Sequence, residues 1–305
     1  SGGAGIDVLI GNEHGNTFFV NQLDAGIISV PGQNVNFFSG IENLTGGLGA
    51  DSFLFANGGS LTGALDGGGG ADALTGDNDG NAFTINALNA GLLTGKLTGF
   101  SNIERVNGGA LADTFNINAP LSGDGTGLAV DAGANNDTIT VATGVTMAGG
   151  IAGGSGNDII NVGTGAGNTT VNGGVAGGTG DDTITLTGTV TTAVTGGDDN
   201  DIVRLATGAT VTGSVDGGLG ADTLEGGDTA STFIISGTDG GSISARLSSF
   251  AGIENLVGGT AADNFNFQTG GTLTNGTIDG GTGGGDVVRG DGANNLFLVT
   301  GLDIG

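Results

Sequence analysis

Residues 153–162 read GGSGNDIINV, residues 177–186 GGTGDDTITL, residues 196–205 GGDDNDIVRL and residues 217–224 GGLGADTL. Four near-copies in succession make the period the first thing to read. Each copy runs from a glycine-rich turn through one Asp into a short alternating strand. Ile139 and Val141, Ile160 and Val162, Ile184 and Leu186, and Val203 and Leu205 fall on one face; Thr138, Thr140, Asn161, Thr183, Thr185 and Arg204 fall on the other. After a Thr-Gly turn comes a second apolar set: Val145 and Met147, Val171 and Val175, Val190 and Val194, Val211 and Val215. The pattern predicts two short strands per coil whose apolar faces share a thin aliphatic core.

The same phrase recurs along the whole chain, with its Asp at Asp7, Asp51, Asp72, Asp113, Asp137, Asp158, Asp182, Asp201, Asp222, Asp263 and Asp286. Seven of the ten gaps are 19 to 24 residues and three are 41 to 44. Taking each long gap as two steps gives about 21 residues per coil, within the solenoid range. Such coils cannot bury an apolar face alone and must stack, so the expected fold is all-β, a parallel β-solenoid of the β-roll or β-helix kind. Glycine belongs at its corners, where positive φ and close approach between coils exclude a Cβ.

The long gaps have an order of their own. Nine residues after Asp7, Asp72, Asp222 and Asp286 stand Asn16, Asn81, Ser231 and Asn295, each followed two residues later by Phe18, Phe83, Phe233 or Phe297. Nine residues before Asp51, Asp113 and Asp263 stand Glu42, Glu104 and Glu254. A larger unit therefore repeats from near Gly2, Gly67, Gly217 and Gly280, with simpler coils inserted over about 114–216. Residues 1–305 are expected to form one continuous solenoid, a window of a longer repeat protein, and its open strand edges imply end-to-end association with other copies. The Glu residues read as solvated and the Asn and Ser residues as turn residues.

Of 305 residues, 71 are Gly, none is Cys, Trp or Tyr, and 31 acids face 5 Lys and Arg, for a net charge of -26. That excess repels nucleic acid and anionic membrane, and no apolar run is long enough to insert in a bilayer. One His, His14, and five scattered basic residues leave little material for a nucleophile and its base, so the chain is not expected to be an enzyme. Neighbouring carboxylates need counter-charge, which hard divalent cations supply. In G-G-x-G-x-D the turn can aim backbone carbonyls and the Asp carboxylate at one place, an oxygen-only site that suits Ca2+.

The phrases GGAGIDVLI, GGLGADSFL, GGGGADALT and GGLGADTLE resemble the nonapeptide of RTX-type secreted bacterial proteins. That resemblance implies a β-roll or β-helix with calcium between successive turns, held by the eleven Asp residues and by glycine-loop carbonyls. It departs where most coils carry only one such turn, and where the loops before Asp113, Asp137, Asp201 and Asp263 are degenerate. Giant surface adhesins and surface-layer proteins of RTX type have a similar look, which implies an extracellular, bacterial cell-surface setting. A column of Asp can also hydrogen-bond along a solenoid without metal. The expected role is a calcium-stabilised structural or adhesive segment forming a stiff stalk, fibre or array. The alternatives are a calcium-responsive folding module of a secreted RTX enzyme or toxin and, from the outward Thr, an ice-binding solenoid. A surface glycan or protein ligand stays open.

Overall fold

The structure, a computed structural model, describes residues 1–292 except Thr126 and Ala166. Asn295 and Phe297 lie outside the described residues. The described residues form an all-β, predominantly parallel solenoid. One sheet stacks 14 strands, which at strand spacing is roughly 60 Å of height.

Register explains why the repeat folds this way. Phe83, Phe115, Ile139, Ile160, Ile184, Val203, Leu224, Leu256 and Ile278 pair in sequence across one sheet. Val106, Val130, Ile151, Val175, Val194, Val215 and Phe250 do the same across the facing sheet. A one-residue slip would turn either file outward, so the period of two locks every coil on its neighbour. Ile139, Ile160, Ile184 and Leu205 have no exposed surface, whereas Thr140, Asn161 and Thr185 are half-buried. Replacing Ile160 by Ala is expected to cost about 2–4 kcal/mol and Asn161→Ala less than about 0.5 kcal/mol in denaturant titration. Equal costs at the two positions would overturn this inside and outside.

The simple coils differ from the two-strand expectation. Their second apolar set divides between a two-residue strand, such as Thr146–Met147 or Thr170–Val171, and a longer one, such as Gly150–Ser155 or Val175–Thr179. Met147, Val171, Val190, Val211 and Leu247 make this third file. A Gly-rich corner, Gly149–Gly150 or Gly173–Gly174, breaks the strand in two.

The long gaps are also built differently from two plain coils. Each holds one coil enlarged by an antiparallel meander, plus a nine-residue step to the opposite sheet. The meanders are Thr17–Gln22 with Ala25–Ser29 and Asn36–Ser39, Ala82–Ala87 with Ala90–Leu93 and Gly99–Ser101, and Thr232–Gly237 with Gly240–Ile243 and Leu247–Ala251. Their first turns place Asp24, Asn89 and Asp239 at φ of 50 to 51°, a conformation Asp and Asn tolerate. Those side chains accept the N–H of Thr62, Ser122 and Thr274. Phe38, Phe100 and Phe250 lie over the bare Cα of Gly26, Gly91 and Gly241 on the adjoining strand. Phe18, Phe83 and Phe233 enter the core and stack on Phe53, Phe115 and Phe265, with centroids 4.8 to 4.9 Å apart.

Candidate functional site

Nine of the eleven Asp residues singled out by the repeat, Asp51, Asp72, Asp113, Asp137, Asp158, Asp182, Asp201, Asp222 and Asp263, are at most 2% exposed. Asp7 and Asp286, at the two ends, are half-buried. Each stands where a glycine turn enters a strand. They stack in single file: the backbone N–H of Asp137 donates to Oδ1 of Asp158 at 2.7 Å, that of Asp158 to Asp182, that of Asp182 to Asp201 and that of Asp201 to Asp222. Asp51 donates likewise to Asp72, Asp113 to Asp137, and Asp263 to Asp286.

The files do not form one column. Asn16, Asp51, Asp72 and Glu104 share one edge; Asn81, Asp113, Asp137, Asp158, Asp182, Asp201, Asp222 and Glu254 share the other; Ser231, Asp263 and Asp286 return to the first sheet, and Asp7 with Glu42 makes a short file. The nine-residue step therefore starts a new file on the opposite edge. Asn16, Asn81 and Ser231, at most 5% exposed, open files with a neutral side chain as well as shaping the turn. Asn81 Nδ2, for example, donates to the carbonyls of Asp77 and Asp79 and to Asp113 Oδ1.

Glu42, Glu104 and Glu254 close files instead of lying solvated on a strand face. Their Oε2 accepts the N–H of Asp7, Asp72 and Asp222 at 2.7 to 2.8 Å. Before these three the G-G-x-G turn is reduced to one left-handed residue, Gly40, Asn102 or Gly252. Glu104 Oε1 also accepts from Asn89 in the meander turn. Glu104→Ala strands the Asp72 N–H and is expected to cost about 1–3 kcal/mol, while Glu104→Gln, which keeps an acceptor there, should cost well under half as much. Equal midpoints for the two variants would show that the contact is idle.

A second, exposed file runs one residue earlier and in the opposite sense. The N–H of Asn157 donates to Asn136 Oδ1, Asp181 to Asn157, Asn200 to Asp181 and Ala221 to Asn200, at 2.9 to 3.1 Å. The Asn-Asp and Asp-Asp dipeptides were its signal. Loops that look degenerate by the RTX spacing, AGANND and GGDDND, supply its rungs Asn136 and Asn200.

One atom per buried Asp is left over. Among the described residues, Oδ2 of each of the nine buried Asp residues of the repeat has no hydrogen-bond partner. Burial is the first cause that raises these carboxyls, to about 7 in Asp72, Asp137 and Asp201 and about 6 in Asp158 and Asp182; Asp51, Asp113, Asp222 and Asp263 are raised as well. Backbone N–H donation to Oδ1 opposes the rise, and neighbouring file acids add to it at Asp72, Asp137 and Asp201. Where Gly46 would carry a Cβ, Asp51 Oδ2 and the Gly67 carbonyl of the next coil close in to 2.4 and 2.3 Å; Gly177 and Gly196 show the same pairing of Asp Oδ2 with a carbonyl. Carboxylate and carbonyl oxygens with no softer donor near are the donor type that a hard cation such as Ca2+ takes. Among the described residues no three acids or His converge on one point, so further oxygens of a shell would come from loop carbonyls and water.

His14 sits exposed in a turn, its N–H donating to Asn12 Oδ1. A shallow depression lined by Gly80, Leu111, Ala112, Asn135 and Asn136 contains no acid, base or nucleophile. No protein-family profile, no curated protein and no solved structure matches this chain.

Proposed function

We propose that the chain is a calcium-stabilised, load-bearing spacer in an extracellular bacterial surface fibre or array, and not an enzyme. The carrying observation is the file of equivalent buried carboxylates, each with one oxygen held by a neighbouring coil and the other orphaned. Equivalence speaks against catalysis, which needs two carboxyls set apart by their surroundings. Asp51, Asp72, Asp113, Asp137, Asp158, Asp182, Asp201, Asp222 and Asp263 would hold the cation through Oδ2, with Asp7 and Asp286 as weaker end positions. Bound calcium would cancel the repulsion between stacked carboxylates, about 3 kcal/mol per pair at strand spacing and an effective dielectric near 20. Because these oxygens meet only when coils stack, cation binding would become folding free energy.

The test is mechanical. Stretched between its termini in millimolar calcium, the chain should resist and then release length in steps of about 20 residues, one coil at a time. Smooth extension at low force, with calcium present, would remove the load-bearing role.

A further inference from the structure

The hairpin of the second long unit is fastened by a contact that the acid files do not require. Lys96 lies just beyond the strand Ala90–Leu93, its N–H donating to the Leu93 carbonyl, and its Nζ meets Oδ2 of Asp77. Asp77 follows the strand Ala73–Thr75 by two residues, and its side chain is fully buried. That carboxyl is fixed in place. Its Oδ1 accepts the Asp79 N–H at 3.2 Å, while the Asp77 N–H donates to Asn81 Oδ1 and the Asp77 carbonyl accepts from Asn81 Nδ2. Through Asn81 the site reaches another buried acid, Asp113, close enough for the charge of Asp77 to act on it.

The third long unit shows what this position needs for folding alone. There Arg246 stands in place of Lys96 and Gly227 in place of Asp77. The guanidinium donates to the carbonyls of Leu205 and Ala206 at 2.6 Å and to that of Gly226, and makes no ion pair with a carboxylate among the described residues. A cation on backbone carbonyls suffices to seat the meander. The buried acid set against a primary amine is therefore an addition, and burying such an ion pair carries a desolvation cost that a neutral linkage does not.

We propose that Lys96 and Asp77 are joined by an intramolecular isopeptide bond. The reaction needs no outside reagent. Nζ attacks Cγ of Asp77, a C–N bond forms, one Cγ–O bond breaks, and the oxygen leaves as water with two protons from the ammonium group. The product is a neutral amide carrying one N–H. Fixed contact between the two groups replaces a bimolecular encounter, the kind of advantage that makes slow condensations feasible within a fold. The linkage closes the segment that contains the hairpin Ala82–Ala87 and Ala90–Leu93. A pulled chain could not then unspool through it.

Intact mass spectrometry of the whole chain under denaturing conditions tests this. The expected mass falls short of the sequence mass by one water, and proteolysis yields a branched fragment in which Asp77 and Lys96 remain joined. Lys96→Arg, which keeps the positive charge but cannot form the bond, should return to full mass. Full mass in the unaltered chain overturns the proposal, and needs no variant to fold. A one-water deficit that persists in Lys96→Arg also overturns it, because ring closure at an Asp-Gly pair such as Asp66–Gly67 sheds the same water.

Discussion

In chelator, the chain should lose stability as pH rises from about 4 to about 7, and calcium should restore it near pH 8 while adding little near pH 5. The sign follows from the buried file. Burial raises these carboxyls from an ordinary 3.8 to about 6 or 7, so the folded chain binds protons that the unfolded chain has released. Their contribution is complete below the unfolded value and disappears as pH climbs through the folded one. At higher pH the file is ionised, and adjacent rungs repel. Calcium held at these Oδ2 atoms would compete with the proton, so under the proposed function its effect should grow with pH. Melting temperatures across that range, with chelator and with millimolar calcium, give the answer. A pH-dependent melt that ignores calcium would leave protons and hydrogen bonds as the sole support of the file. A melt indifferent to both would mean that Oδ2 has a partner of another kind.

The period of two and the period of about 21 were both legible, because in-register stacking demands like residues at like positions. Ile160 and Val203 lie inside as their alternation requires. The meanders were hidden. Ala25–Ser29 and Ala90–Leu93 follow the preceding strand after only two turn residues, and strand alternation does not say whether the next strand runs parallel or returns. The signal lay in Leu23-Asp24, Leu88-Asn89 and Thr238-Asp239, two-residue turns whose second member has positive φ. The eleven Asp were found by sequence, but their division between two edges depends on the nine-residue step, which moves the phrase half a coil. The part played by the Glu residues is hidden in the sequence for a related reason. Their role is visible only once Glu104 is seen to occupy the rung after Asp72.

Replacing Gly197 by Ala should be among the most damaging single changes in the chain, and replacing Gly284 by Ala among the mildest. Gly197 has φ of +135°, and a Cβ there would lie 1.8 Å from the carbonyl oxygen of Gly178 in the preceding coil. Backbone cannot move aside as a flexible side chain would, so the coils must part. Strain at positive φ adds roughly 1–2 kcal/mol before the lost stacking is counted, and the whole should exceed about 3 kcal/mol. Gly284 has open space where its Cβ would go and no such backbone constraint, so the change should lie within about 0.5 kcal/mol or stabilise slightly by restricting the unfolded chain. The solenoid makes the form of the damage as telling as its size. Each coil touches only its neighbours, so a broken interface at Gly197 separates the coils before it from those after it. Urea unfolding of Gly197→Ala should therefore split into two transitions, whereas Gly284→Ala keeps the parent curve. One unshifted transition for Gly197→Ala would mean that the coils are held further apart than their registered hydrogen bonds require.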